Sequence, residues 1–397
     1  MNFSYSFIDE KVQSHYYFEQ VSSLNEIDDE EFIALTKKRS FYVSKPWLTA
    51  IERMRGKDTA YIVVRNNQNK LLGVLPFYWG KPSVRGYYEP FKRFLEPTKG
   101  NFIEKDWSPT LIIGSRSAYA CEFLLSEHLS TQEQTLILQQ MITCVQNRMA
   151  SYGAASLSAL YINKEGCNQL KQIVSNPEDF FITGANAVIT IEWSTFEDYL
   201  LSLKSKERTK ARKERGVFLS KGYDIRLAKL EDSLETFAQL FINHEHKYGY
   251  QTSLENQIKE LEVFIDTAGE YSHILTLNLK DVVAGCLLLF LWEDTIYART
   301  VGFDFDIVGQ SFEYFNLGYY ALIEFAIDRN FKYIDYGMGT YRAKLKRGAH
   351  LEPVYGYIYS PSTSSPFIDS EFKQWNEFRT EAVIQNNIDV LERINFP

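Results

Sequence analysis

Two stretches in opposite halves of the chain repeat one pattern. Residues 61–79 read as a strand, a polar turn and a second strand opening Gly73-Val74-Leu75-Pro76-Phe77. Residues 274–292 read the same way, with Gly285-Cys286-Leu287-Leu288-Leu289 opening the second strand. Each hairpin is followed by a long helical pattern and another strand, over 131–162 in the first half and 311–336 in the second. Self-similarity of this kind implies one supersecondary unit used twice. A sheet with an apolar face needs helices to cover it, and strand and helix periodicities alternate along both halves. The chain is therefore predicted to be α/β, with two tandem lobes at 1–185 and 186–397. Each lobe is expected to be a mixed, mostly antiparallel sheet flanked by helices.

Bulk properties narrow the function. At 397 residues the chain is long for one core. Its formal net charge of −8 argues against non-specific nucleic-acid or membrane binding. Cys121, Cys144, Cys167 and Cys286 form no CxxC pair, and His244 and His246 fall on different faces of a predicted helix, so no metal site is expected. Residues 1–10 lack the basic and apolar regions of a secretory leader, and the longest apolar run, near 282–292, is too short to span a bilayer. A cytoplasmic location is the default expectation.

Further strands are predicted at 16–21, 187–193, 223–227, 295–301 and 354–359, and helices at 28–38, 46–54, 195–221, 234–247, 254–268 and 372–394. Residues 80–106, rich in Pro, Gly, aromatic and basic side chains, read as a long loop.

In the second half the order is hairpin, strand, loop, helix, strand, which resembles the GNAT acyltransferase core. That resemblance implies a thioester donor lying between two splayed strands. The diphosphate of coenzyme A would then meet free N–H groups where the helix begins. Here the positions are Gly302, Gly309, Gln310 and Ser311, the cofactor-binding candidates. The same loop carries Asp304 and Asp306, which repel a diphosphate.

Residues 316–353 carry a more specific signal. Tyr319, Tyr320, Ile323, Glu324, Ala326 and Ile327 form a helical pattern, Gly337 and Gly339 a turn, and Lys344, Arg347 and Gly348 close the segment. Together with the basic stretch 201–222, these resemble the FemAB-like N-acyltransferases of peptidoglycan biosynthesis. Members commonly show E-G-x-Q-G at the turn, where this chain has Asp335-Tyr336-Gly337-Met338-Gly339. The resemblance implies two tandem GNAT-like lobes and acyl transfer to an amine.

Site residues follow from the chemistry. Lys344, Lys346 and Arg347 cluster after two glycines and suit a phosphate. An ammonium acceptor must lose a proton before it attacks, and Glu313, Asp335, Tyr341 and His350 are the catalytic candidates. No serine, zinc or P-loop fingerprint is present, so direct attack is expected, with strand N–H groups near 299–302 holding the oxyanion. Lys204, Lys206, Arg208, Lys210, Arg212, Lys213, Arg215 and Lys221 load one helix with positive charge, a docking face for an acyl carrier protein or tRNA. The expected reaction is transfer from acyl-CoA or a carrier-bound thioester to a small-molecule amine. The alternatives are an aminoacyl-tRNA-dependent Fem-type transferase and a GNAT-fold binding protein without catalysis.

Overall fold

The computed structural model describes residues 15–79 and 86–393. The 1–10 stretch, the first residues of the 80–106 loop and residue 394 lie outside the described residues. In chain order, the first part holds β1 (Tyr16–Val21), α1 (Asp29–Thr36), α2 (Lys45–Arg55), β2 (Thr59–Asn66), β3 (Leu71–Tyr78), β4 (Thr110–Ile113), β5 (Leu124–Leu125), α3 (Thr131–Gln146), β6 (Ser156–Ile162) and α4 (Lys164–Lys171). Next come β7 (Phe181–Thr190), α5 (Phe196–Ser202), α6 (Ser205–Ser220), β8 (Tyr223–Lys229), α7 (Leu234–Lys247), α8 (Leu254–Ala268), β9 (Ser272–Leu279), β10 (Val282–Trp292) and β11 (Thr295–Phe303). A helical run, α9, then joins Glu313–Phe315, a π-helical turn at Asn316–Tyr320, and Ala321–Asp328. The chain ends with β12 (Tyr333–Asp335), α10 (Tyr341–Leu345), β13 (His350–Tyr359), α11 (Ser370–Ile384) and α12 (Ile388–Leu391).

Contacts divide the chain into two units: residues up to Ala185 together with those from Pro353 onward, and Asn186–Glu352. The expected 186–397 lobe therefore gives up everything from Pro353. The reason is strand pairing, since Tyr355–Tyr359 of β13 bind antiparallel to β6.

The first unit pairs β1–β2, β2–β3 and β3–β4 antiparallel, β4–β6 parallel and β6–β13 antiparallel, with β5 added beside β3. The second pairs β8–β9, β9–β10 and β10–β11 antiparallel, β11–β12 parallel and β12–β7 antiparallel. Order and sense are the same in both. The sequence echo thus extends to strands it did not reveal, β1 against β8 and β4 against β11. Each sheet buries an apolar face under helices. Ile62, Val64, Leu111 and Leu157 meet Ile137 and Met141 in the first unit, while Leu277, Leu289, Ile296 and Ile334 meet Leu317 and Leu322 in the second.

Several expected elements differ: the 372–394 helix divides into α11 and α12, and the 80–106 loop forms short helical turns at Phe91–Leu95, Glu96–Thr98 and Glu104–Asp106. The 195–221 helix breaks at Leu203, which takes an extended conformation and is buried, and Arg208 Nη1 donates to the carbonyls of Leu201 and Leu203 that the break exposes. The helix expected from Ser311 begins at Glu313 and contains the π turn. The 282–292 run is β10, and among the described residues no helix is long and apolar enough to cross a membrane.

Candidate active site

The second sheet opens beside β11. Thr295, Ile296 and Tyr297 pair in parallel with Tyr333, Ile334 and Asp335, and that ladder ends there. β11 continues to Phe303 on β10 alone, with a bulge in which Arg299 is the extra residue opposite Leu288 and Leu289. A bulge bends and twists its strand, which helps the two parallel strands diverge. A cavity of about 150 Å³ fills the opening, lined by Arg299, Thr300, Tyr314, Tyr319, Tyr336 and Lys344 among others.

The far wall is built by the glycine turn. Gly337, Gly339 and Thr340 have φ of 60, 75 and 46°, so the chain coils tightly after β12. That coil aims the carbonyls of Tyr336, Gly337 and Met338 at Lys344 Nζ, which donates to them at 2.8, 3.1 and 2.8 Å. Three acceptors match the three protons of an ammonium. Burial lowers the Lys344 ammonium to about 7, and Asp335 opposes the shift. Burial pushes the Asp335 carboxyl up to about 6, against a hydrogen bond from Gly337 N–H at 2.6 Å and the attraction of Lys344. Desolvation dominates both shifts. The glycines thus serve the lysine by cradling it, where the sequence suggests that they free it to bind phosphate.

Tyr336, missed by sequence reasoning, stacks on Tyr319 with ring centroids 5.0 Å apart, and its buried hydroxyl has no hydrogen-bond partner among the described residues. Tyr314 and Tyr319 approach through their hydroxyls at 3.5 Å. The signal for these residues was present only as aromatic richness, which core packing explains equally well.

The phosphate role expected of Arg347 does not fit its surroundings. Its guanidinium is buried, donates to Glu214 Oε2 at 2.7 Å and to Ala343 O at 3.0 Å, and lies 3.7 Å from the Phe315 ring centroid. Tyr320 donates to the same Glu214 oxygen, and Tyr199 to the Arg347 carbonyl. The three family-like segments, the basic helix, the Tyr-Tyr helix and the Arg-Gly turn, therefore meet in one buried ion pair. Glu214 could have been found by spacing, because Ala211, Glu214 and Phe218 form the buried stripe of α6.

Gly302 also has a structural duty. A Cβ there would stand 2.5 Å from the Leu240 carbonyl carbon, so its hydrogen admits α7 against β11. Tyr341 is buried in α10. His350 is exposed on β13 with Nε2 3.3 Å from Glu352, and does not line the cavity. Lys346 faces Glu207 at 3.9 Å.

Gly309, Gln310 and Glu313 line a second cavity of about 280 Å³ that shares Tyr314 with the first. Ser311 does not cap the helix. Its N–H points to the Glu313 carboxylate at 3.1 and 3.2 Å, so the amide expected to meet a diphosphate is already occupied by an anion.

The positive helix is partly neutralised. Arg212 pairs with Glu197, Arg215 with Glu324, and Lys210 lies 3.6 Å from Glu214. Lys204, Lys206, Lys213 and Lys221 remain exposed.

The profile of the FemAB-like family, described as peptidoglycan biosynthesis/recognition, matches residues 23–386. The chain belongs to the FemAB-like family. No curated protein matches it. Among solved structures, FemX is similar at 12% identity and a TM-score of 0.57, over 86% of this chain and 97% of that one. The L-PGS of Bacillus licheniformis is similar at 10% identity and a TM-score of 0.53, over 86% and 94%. A tandem GNAT protein of the clavulanic acid biosynthesis pathway is similar at 10% identity and a TM-score of 0.50, over 88% and 99%. These likenesses establish the fold, two tandem GNAT-like lobes. With the family, they make this FemAB-like chain an acyltransferase.

Proposed function

We propose that the second unit moves an acyl group onto an amine of a peptidoglycan precursor, by direct attack in the opening between β11 and β12. The observation that carries this reading is the cavity where the parallel ladder ends, with the cradled Lys344 on its wall. β11 N–H groups that face the opening stabilise the oxyanion that forms when the amine adds to the carbonyl, while Lys344, its three protons given to the turn carbonyls, holds the opposite wall in place. Asp335, at the end of β12 beside the cavity-lining Tyr336 and ionised above about pH 6, accepts the proton the amine must shed; collapse of the oxyanion then breaks the carbonyl's bond to the donor, and the departing hydroxyl or thiol of the carrier takes up that proton.

The donor is carrier-borne in this proposal. At the helix start Glu313 holds the Ser311 amide, and Asp304 and Asp306 flank it, so a diphosphate would enter a field of carboxylates. The exposed lysines of α6 and its flanks suit an acidic carrier. The Fem-type resemblance favours aminoacyl-tRNA over an acyl carrier protein. The family description shifts the acceptor from a free metabolite to a cell-wall precursor.

The test supplies radiolabelled aminoacyl-tRNA, acyl carrier protein thioester or acyl-CoA in parallel, each with a peptidoglycan stem peptide. Label moving to the peptide from either carrier supports the proposal. Transfer from coenzyme A alone overturns the carrier-borne donor, and transfer from none of them overturns acyl transfer to this acceptor.

A further inference from the structure

We propose that the second cavity, between the 304–312 loop, the start of α9 and the end of α7, is a binding site for a primary ammonium group on an apolar stem. Its walls are largely aromatic, with Phe303, Phe305, Tyr314 and Phe315 facing a space of about 280 Å³. Aromatic faces carry negative charge density and attract cations. Glu313 also lines the cavity and is only 4% exposed. Its carboxylate accepts from the Ser311 amide and from the Tyr223 hydroxyl at 3.1 Å, yet among the described residues no cation pairs with it. A buried carboxylate without a counter-charge is costly, and a ligand ammonium would supply the missing charge.

An internal ammonium already marks the wall. Lys247, exposed at the end of α7, places its Nζ 3.9 Å over the centroid of the Phe305 ring. The site thus holds a stand-in from its own chain, on a flexible stem that an incoming amine can displace. Asp304 and Asp306 add negative charge on the same loop. Glu313, Asp304 and Asp306 disfavour an anion here, so a cation takes the place where a nucleotide diphosphate would sit in a GNAT-like lobe. Tyr314 is common to both cavities. If the transfer reaction proposed above is right, the ammonium held at this second cavity belongs to the acceptor, one ring away from the opening where it is to react.

The experiment is calorimetric titration of the full chain near pH 7.5, without donor, using benzylamine, benzoate and inorganic diphosphate as probes. Benzylamine is expected to bind, and benzoate, of the same shape and opposite charge, to bind at least about tenfold more weakly, as does diphosphate. Glu313→Gln should weaken benzylamine by about tenfold or more. Lys247→Met, on an exposed side chain, should tighten it by removing the internal competitor, and so keeps the test valid if the glutamate variant fails to fold. Absence of benzylamine binding, benzoate or diphosphate binding as tightly, or a Lys247→Met variant with unchanged or weaker affinity would each overturn the proposal. Because no donor is present, a protein that transfers acyl groups yet ignores benzylamine loses this inference alone.

Discussion

Replacing Arg347 with Met should unfold the second unit far more readily than any change on the exposed side of the basic helix. The Arg347 side chain is 5% exposed and the Glu214 side chain 1%, with nitrogen and oxygen 2.7 Å apart. Methionine fills much of the space among Phe315, Tyr319 and Tyr320 but strands the carboxylate. Glu214 then keeps only the Tyr320 hydroxyl and the half-exposed Lys210 at 3.6 Å. Breaking a buried pair from one side costs about 3–5 kcal/mol. At about 2–4 °C per kcal/mol for a domain of this size, the melting temperature should fall by roughly 6–20 °C. Replacing both partners, as Glu214→Leu with Arg347→Met, should recover most of that loss, because the stranded charge is gone. Arg212→Met breaks a pair whose side chains are 50% and 57% exposed, and should change stability by less than about 1 kcal/mol. Urea unfolding followed by far-ultraviolet circular dichroism measures all four proteins. An Arg347→Met variant within about 1 kcal/mol of the parent, or a double variant no more stable than the single, would refute the reasoning.

Other outcomes follow from the opening and its walls. Lys344→Met should lower acyl transfer by about 100-fold, because the turn that walls the cavity loses the ammonium holding its three carbonyls, with the urea midpoint recorded alongside to separate a misplaced wall from a lost fold. Stability should pass through a minimum between about pH 6 and 7. The raised Asp335 carboxyl makes the folded state bind more protons than the unfolded chain, so its contribution is lost as pH rises through about 6, a limb of roughly 3 kcal/mol at most. The lowered Lys344 does the reverse, and stability recovers as pH climbs above about 7. Asp335→Asn should remove the first limb only, which urea midpoints across pH 4 to 9 will show. Gly302→Ala should destabilise by about 1–3 kcal/mol in the same unfolding assay, since the new methyl meets the Leu240 backbone.

Much of the fold could be read in advance because strong periodicity marks it. The limits of α7, α8 and β10 coincide with the apolar pattern, and the two hairpins announce the repeated sheet. β4 escaped because four residues, Thr110–Ile113, are too few to show a period. The destination of β13 escaped for another reason: hydrophobic alternation tells which face a strand buries, and says nothing about which sheet receives it. The site was legible as a region and not as roles. Lys344 was found by its neighbourhood, but only coordinates show three carbonyls converging on it. Arg347 looked like a free cation because its partner, Glu214, lies far off in sequence. Ser311 and Glu313 are both visible in the sequence, but their mutual contact, which decides what the loop can hold, exists only in the fold.

The sheet of the first unit is completed by β13, a strand synthesised after the entire second unit. During translation β6 must therefore wait as a bare edge, with its ladder groups open on one side, until β13 has followed the whole second unit out of the ribosome. The second unit faces no such delay, since its outlying strand β7 precedes it. Synthesis thus imposes an order opposite to the usual one: the unit begun second can finish folding first. A chain truncated after Glu352 and released should hold a folded second unit beside an incomplete first one.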